Sequence, residues 1–182
     1  MPMLEQRIQQ QFFESADLLS QTAEALSKPI ADAAQAVLGC ITAGGKLMLV
    51  GSGAAAHLAA HGAGLMVGRF ERERPGLAAL ALAGEAQVQA LGSPGDVLLA
   101  ISAGRADAAL LAAIGVAQRK EMTVVALCGR DAGNLHECLG ETDVLISVAH
   151  ERAARLHEAH MLILHCLCDA VDLQLLGEQE PT

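Results

Sequence analysis

Hydrophobic positions along the first forty residues recur at helical spacing. Leu4, Ile8, Phe12, Leu19 and Leu26 trace one stripe, and Ile30, Ala33, Val37 and Ile41 trace another. Pro29 suits the first turn of a helix, so the pattern predicts two helices, the second halted by Gly44-Gly45. From Lys46 onward the pattern changes. Short runs that are apolar throughout alternate with longer amphipathic stretches. The runs 46–50, 77–82, 96–101, 123–127 and 143–148 read as strands, and 54–67, 106–120 and 151–176 read as helices. Shorter helices are expected near 85–91 and 134–139. Continuous apolar strands, unlike alternating ones, belong in a parallel sheet covered on both faces. The expectation is a doubly wound, five-stranded, flavodoxin-like α/β fold in one domain over 1–182. Residues 1–44 form a helical arm and 45–182 the α/β core.

Composition narrows what such a fold does. The chain has 182 residues, 52% hydrophobic, with neither Trp nor Tyr. That much aliphatic surface points to a subunit interface, hence a homo-oligomer. A formal net charge of -9, with basic residues clustered only over 69–74, argues against direct nucleic-acid binding. No basic-then-apolar leader and no uninterrupted apolar run of spanning length are visible, so a cytoplasmic protein with no membrane contact is expected. The five cysteines lack zinc-ribbon or secreted-framework spacing and read as reduced thiols. Cys166 and Cys168, two apart on a helix, should face different sides.

The candidate chemistry sits where strands end. Strand 46–50 breaks on Gly51-Ser52-Gly53 and re-enters as an Ala-rich helix carrying His57 and His61. Free N–H groups at such a mouth attract phosphate. A second loop, Ser102 to Asp107, follows the third strand, and ligands in these folds sit outside strand C-termini where the strand order reverses. The histidines allow two readings: His61, His157 and His165 converge on a divalent metal, for which three imidazoles suit zinc, or they are cleft and interface residues, with His160 packing. The alternating charges Arg69 to Arg74 read either as a solvated, salt-bridged loop or as a recognition surface or intersubunit clasp.

Four stretches together resemble the sugar isomerase (SIS) family, in the branch that holds the phosphoheptose isomerases and the DiaA initiator-associating proteins: Leu49-Val50-Gly51-Ser52-Gly53, Gly68 to Pro75, Gly95 to Ser102, and Arg155 to Met161. Met161-Leu162 and Cys166-Leu167-Cys168-Asp169 are more similar to the DiaA side. The resemblance implies a homotetramer with sites between subunits. Ligand-binding residues carried over are Gly51, Ser52, Gly53, Ser102 and Arg105; metal-site residues are His61, His157 and His165; the catalytic residue, if the chain is an enzyme, is His165. Departures from the pattern are equally specific. Ala55 stands at a hydroxyl position of the first loop, and Ala103-Gly104-Arg105-Ala106-Asp107 replaces the usual second loop. Leu65 stands where a Glu is expected, and the connection from Leu82 to Gly92 is short. Asp107 would repel a phosphate, with Arg105 offsetting it in part. His165 would then need a second acid/base group, for which Glu158 or a water is available. On these grounds the leading expectation is a non-catalytic, DiaA-like tetrameric scaffold for a DnaA-type replication initiator, with no cofactor. The alternatives are a phosphoheptose isomerase acting on sedoheptulose 7-phosphate, with zinc as its metal, and a phosphosugar sensor without turnover.

Overall fold

The computed structural model describes residues 2–178. Five strands, β1 (Leu47–Gly51), β2 (Ala79–Leu82), β3 (Val97–Ile101), β4 (Thr123–Gly129) and β5 (Val144–Val148), form one sheet in the order β2-β1-β3-β4-β5. Every pairing is parallel. Each strand therefore ends at the same edge, and the order reverses between β1 and β3, which places both glycine-bearing loops at the switch point.

Side-chain alternation divides the core in two. Leu47, Leu49, Leu99, Ile101, Val125 and Leu127 point to the face covered by α1 (Pro2–Thr42), α2 (Ala56–Val67) and α6 (Ala153–Leu176). Met48, Val50, Leu98, Ala100, Val124 and Ala126 point to the face covered by α3 (Glu85–Leu91), α4 (Ala108–Arg119) and α5 (Leu135–Cys138). This is the doubly wound arrangement expected, with strand limits shifted by one or two residues.

The arm departs from expectation. Instead of two helices it is a single helix of 41 residues with Pro29 inside it. An interior proline forfeits one backbone bond and costs about 3 kcal/mol. Burial on both sides of it, Leu18 before and Ala33, Ala34 and Val37 after, outweighs that loss and keeps the helix continuous. α1 lies along α6, fastened by Ser15 Oγ donating to Glu158 at 2.6 Å and Arg155 donating to the Gln11 carbonyl at 2.6 Å.

By length and composition α6 could cross a membrane, but 44% of its apolar window is buried inside the fold. It is a core helix here, covered by the sheet and α1. Two carboxylates serve the frame: Asp96, 2% exposed, accepts from the N–H groups of Lys46 and Ser93, and Asp143 accepts from those of Val124 and Gly140.

Candidate functional site

At the end of β1 the chain turns tightly through a 3-10 turn, Gly53–Ala55, into α2. Gly51 is required there because a Cβ would collide with the backbone of Ala55, and Gly53 because its φ is +55°. Neither Ser52 nor Ala55, the capping residues of this turn and of α2, uses its side chain to cap. The mouth of α2 thus keeps its N–H donors clear of side-chain caps, as an anion site requires.

The second loop is different. Asp107 caps α4, accepting from the Leu110 N–H at 2.8 Å, and its other oxygen accepts from Ser52 Oγ at 2.5 Å. Those two bonds hold the Asp107 carboxyl below its ordinary range, the Ser52 bond most strongly. A fixed negative charge therefore bridges the two loops.

Two of the predicted ligand-binding residues do not reach that point. Ser102, 2% exposed, turns its hydroxyl inward to the Gly104 carbonyl at 2.9 Å, so the turn itself uses it. Arg105 is exposed and faces Asp131 at 3.6 Å, so it does not offset Asp107. Gly51, Ser52 and Gly53 do line the mouth.

Of the three metal candidates the fold joins two. His61 on α2 and His165 on α6 meet with Nε2 to Nε2 at 3.1 Å. His157 forms no hydrogen bond to either among the described residues. Among the described residues no group of three or more His, Cys, Asp or Glu side chains is placed to hold a metal ion. One turn beyond His61, Leu65 offers no donor. The donor set of this chain is thus two imidazoles, short of the three protein ligands that a catalytic zinc site uses.

Other candidates are spent on structure. Glu158 is bound by Ser15 and Arg155 and is not available to the histidines. His160 is fully buried, with Nε2 against the Cys128 carbonyl at 3.3 Å, and burial pushes its pKa down to about 4. His57 is exposed on α2. All five cysteines are free; Cys168 is buried and Cys166 exposed, as their spacing predicts. Burial pushes the Cys128 and Cys168 thiols up to about 11 and about 12, so neither is a reactive thiolate.

Sequence reasoning missed two contacts. Phe70 packs on His165, with ring centroids 5.3 Å apart. Arg74 and Asp172 form an ion pair with both side chains 1% exposed. The charged run is therefore not uniformly solvated: Arg69 and Glu73 pair on the surface, while Arg74 is buried.

A parallel α/β sheet with an anion-ready loop at its switch point defines the class of doubly wound α/β proteins that bind ligands at their strand ends. The comparisons agree. The SIS domain signature matches residues 11–93. A phosphoheptose isomerase of Methylibium petroleiphilum is 58% identical over 200 aligned positions that take in all of both chains. One from Aromatoleum aromaticum is 41% identical, covering 96% of this chain and 97% of its own. The solved structure of phosphoheptose isomerase GmhA from Neisseria gonorrhoeae superposes with a TM-score of 0.86 at 35% identity, over 93% of this chain and 98% of that one. A phosphoheptose isomerase from Francisella tularensis gives 0.87 at 34%, over 94% and 99%. The chain belongs to the SIS family, in its phosphoheptose isomerase branch. The initiator-binding scaffold finds no support in these relatives; the isomerase alternative is the better supported expectation. The 200 aligned positions exceed the 182 residues here, so the Methylibium alignment carries gaps in this chain. In keeping with a shortened connection, α3 opens only two residues after β2 ends.

Proposed function

We propose that this chain is an aldose–ketose isomerase of the phosphoheptose type, acting on sedoheptulose 7-phosphate through His61 and His165. The observation that carries the reading is their 3.1 Å Nε2 to Nε2 contact. A hydrogen bond between two imidazole nitrogens needs one ring with a proton and one with a lone pair. The pair sets one proton donor against one proton acceptor. In the proposed reaction substrate displaces the bond between them, so that one ring serves as acid and the other as base. Isomerisation requires both: a base takes the proton from the carbon beside the carbonyl while an acid protonates the carbonyl oxygen, and the roles then reverse at the neighbouring carbon. The α2 mouth at Gly51-Ser52-Gly53 would seat the phosphate.

Because the donor set does not fit a resident catalytic metal, the proposed chemistry runs on imidazoles alone. The exposed apolar residues of α1, among them Ile8, Phe12 and Phe13, support assembly into a homotetramer. Free cysteines throughout the described residues accord with a cytoplasmic setting.

The test is a turnover assay with sedoheptulose 7-phosphate in chelator. Activity should survive chelation, and His61→Ala or His165→Ala should each lower kcat about 10²–10⁴-fold. Loss on chelation with recovery on zinc would contradict the metal-free reading. A second reading, phosphosugar capture without turnover, is favoured by Leu65, which can neither donate nor accept a proton; saturable binding with no product would establish it instead.

A further inference from the structure

His61 and His165 stand on different helices, and their contact depends on how the His165 ring is turned. The terminal torsion of a histidine is broad and two-fold, so a helix fixes where the ring stands but not which way its plane faces. Functional imidazoles usually take that orientation from a hydrogen bond on the second nitrogen. His165 has none among the described residues; its hydrogen bond there is the one to His61. What touches its ring is Phe70, with centroids 5.3 Å apart and planes inclined at 36°. The His61 ring lies at 5.4 Å and 57°. The imidazole touches both rings.

Phe70 lies in the irregular segment between α2 and β2, and such a segment holds an aromatic ring in place only if it is tied down. Arg74 ties it. Its guanidinium donates to the carbonyls of Leu65 at 3.1 Å, Met66 at 2.9 Å and Gly68 at 3.2 Å, which end α2, while its Nε donates to Asp172 on α6. Arg72 adds a bond to the Gly177 carbonyl at 2.8 Å, just past α6. The same buried arginine thus joins the helix carrying His61 to the helix carrying His165, and fixes the strap that presents Phe70 to their junction.

We infer that Phe70 is a positioning residue, its ring setting the plane of His165 so that Nε2 faces His61, with the Arg74–Asp172 pair as the latch that holds Phe70 there. The catalytic consequence rests on the isomerase reading; the geometric claim does not. Simple packing makes a different prediction. If Phe70 only fills space, Phe70→Leu should replace it well. If the ring orients His165, Phe70→Tyr should replace it and Phe70→Leu should not.

The experiment is nitrogen NMR on the full chain labelled at histidine, reading the coupling that crosses an N–H···N hydrogen bond, with kinetics on the same samples. Wild type and Phe70→Tyr should show the coupling between His61 and His165; Phe70→Leu should lose it while keeping its circular dichroism spectrum. With sedoheptulose 7-phosphate, Phe70→Leu should lower kcat about 10–100-fold with KM within about threefold. Should the leucine variant fail to fold, the wild-type cross-relaxation between Phe70 ring protons and the His165 ring decides, since its absence overturns the inference. So does full coupling in Phe70→Leu, or no coupling in wild type. Coupling that depends on Phe70 in a protein without turnover would uphold the positioning role and reject the isomerase.

Discussion

Asp107 is the side chain on which ligand affinity turns. Ser52 Oγ donates to it at 2.5 Å, so any anion seated at the α2 mouth meets a carboxylate at close range. Two like charges about 4 Å apart near a surface repel by roughly 1–4 kcal/mol. Asp107→Ser keeps a capping hydroxyl for α4 and removes the charge; it should tighten sedoheptulose 7-phosphate binding about tenfold by calorimetry. Unchanged or weaker binding would show that the phosphate sits elsewhere. His160 makes a prediction about stability. Its pKa of about 4 in the fold lies below the 6.5 or so of an unfolded histidine, so the unfolded chain binds the extra proton first as pH falls. Its contribution is whole above pH 6.5 and is lost as the pH drops toward 4, on the order of 3 kcal/mol. Urea midpoints between pH 7 and 5 should decline more steeply for the parent than for His160→Gln, and parallel slopes would refute this. Neither effect was readable from sequence in full. That Asp107 would oppose a phosphate was legible, because charge is local; that Arg105 would turn to Asp131 was not, because it depends on where a second loop lies.

Elements show the same division. The five strands were legible because each is a short, mostly apolar run, and α3 was placed at Glu85–Leu91 by its own pattern. The arm was misjudged at Pro29 because the missing bond is a local cost, whereas the packing against α6 that offsets it is not. The pairing of His61 with His165 escaped as a two-residue contact for a like reason: spacing places each histidine on its helix face, but only the approach of α2 to α6 brings them together. Arg74 holds that approach. Removing it leaves Asp172 buried, with one oxygen already lacking a partner, and also uncaps the last carbonyls of α2. Arg74→Ala should therefore cost about 3–5 kcal/mol by denaturant unfolding, far more than the loss of a surface ion pair. Arg69→Ala, which breaks the exposed pair with Glu73, should cost about 1 kcal/mol or less. Equal costs for the two would mean that the latch is not buried in solution.

At the scale of the whole molecule, one chain leaves apolar surface uncovered. Phe12 is 71% exposed and Phe13 67%, on a helix that continues past the body of the fold. Together with the apolar groove between α1 and α6, lined by Leu19, Ile30, Leu162 and Ile163, they fit burial against further copies. Sedimentation should find a tetramer, and Phe12→Asp with Phe13→Asp should dissociate it; a monomeric parent would rule the assembly out. Within that frame the family scaffold is kept, and the proposed chemistry asks the His61–His165 pair to act where Leu65 offers no carboxylate. The direct test is to incubate the chelated protein with sedoheptulose 7-phosphate in deuterium oxide and follow deuterium at the carbons next to the carbonyl. The account predicts incorporation that disappears in both His61→Ala and His165→Ala. Substrate that binds yet returns without deuterium would contradict it.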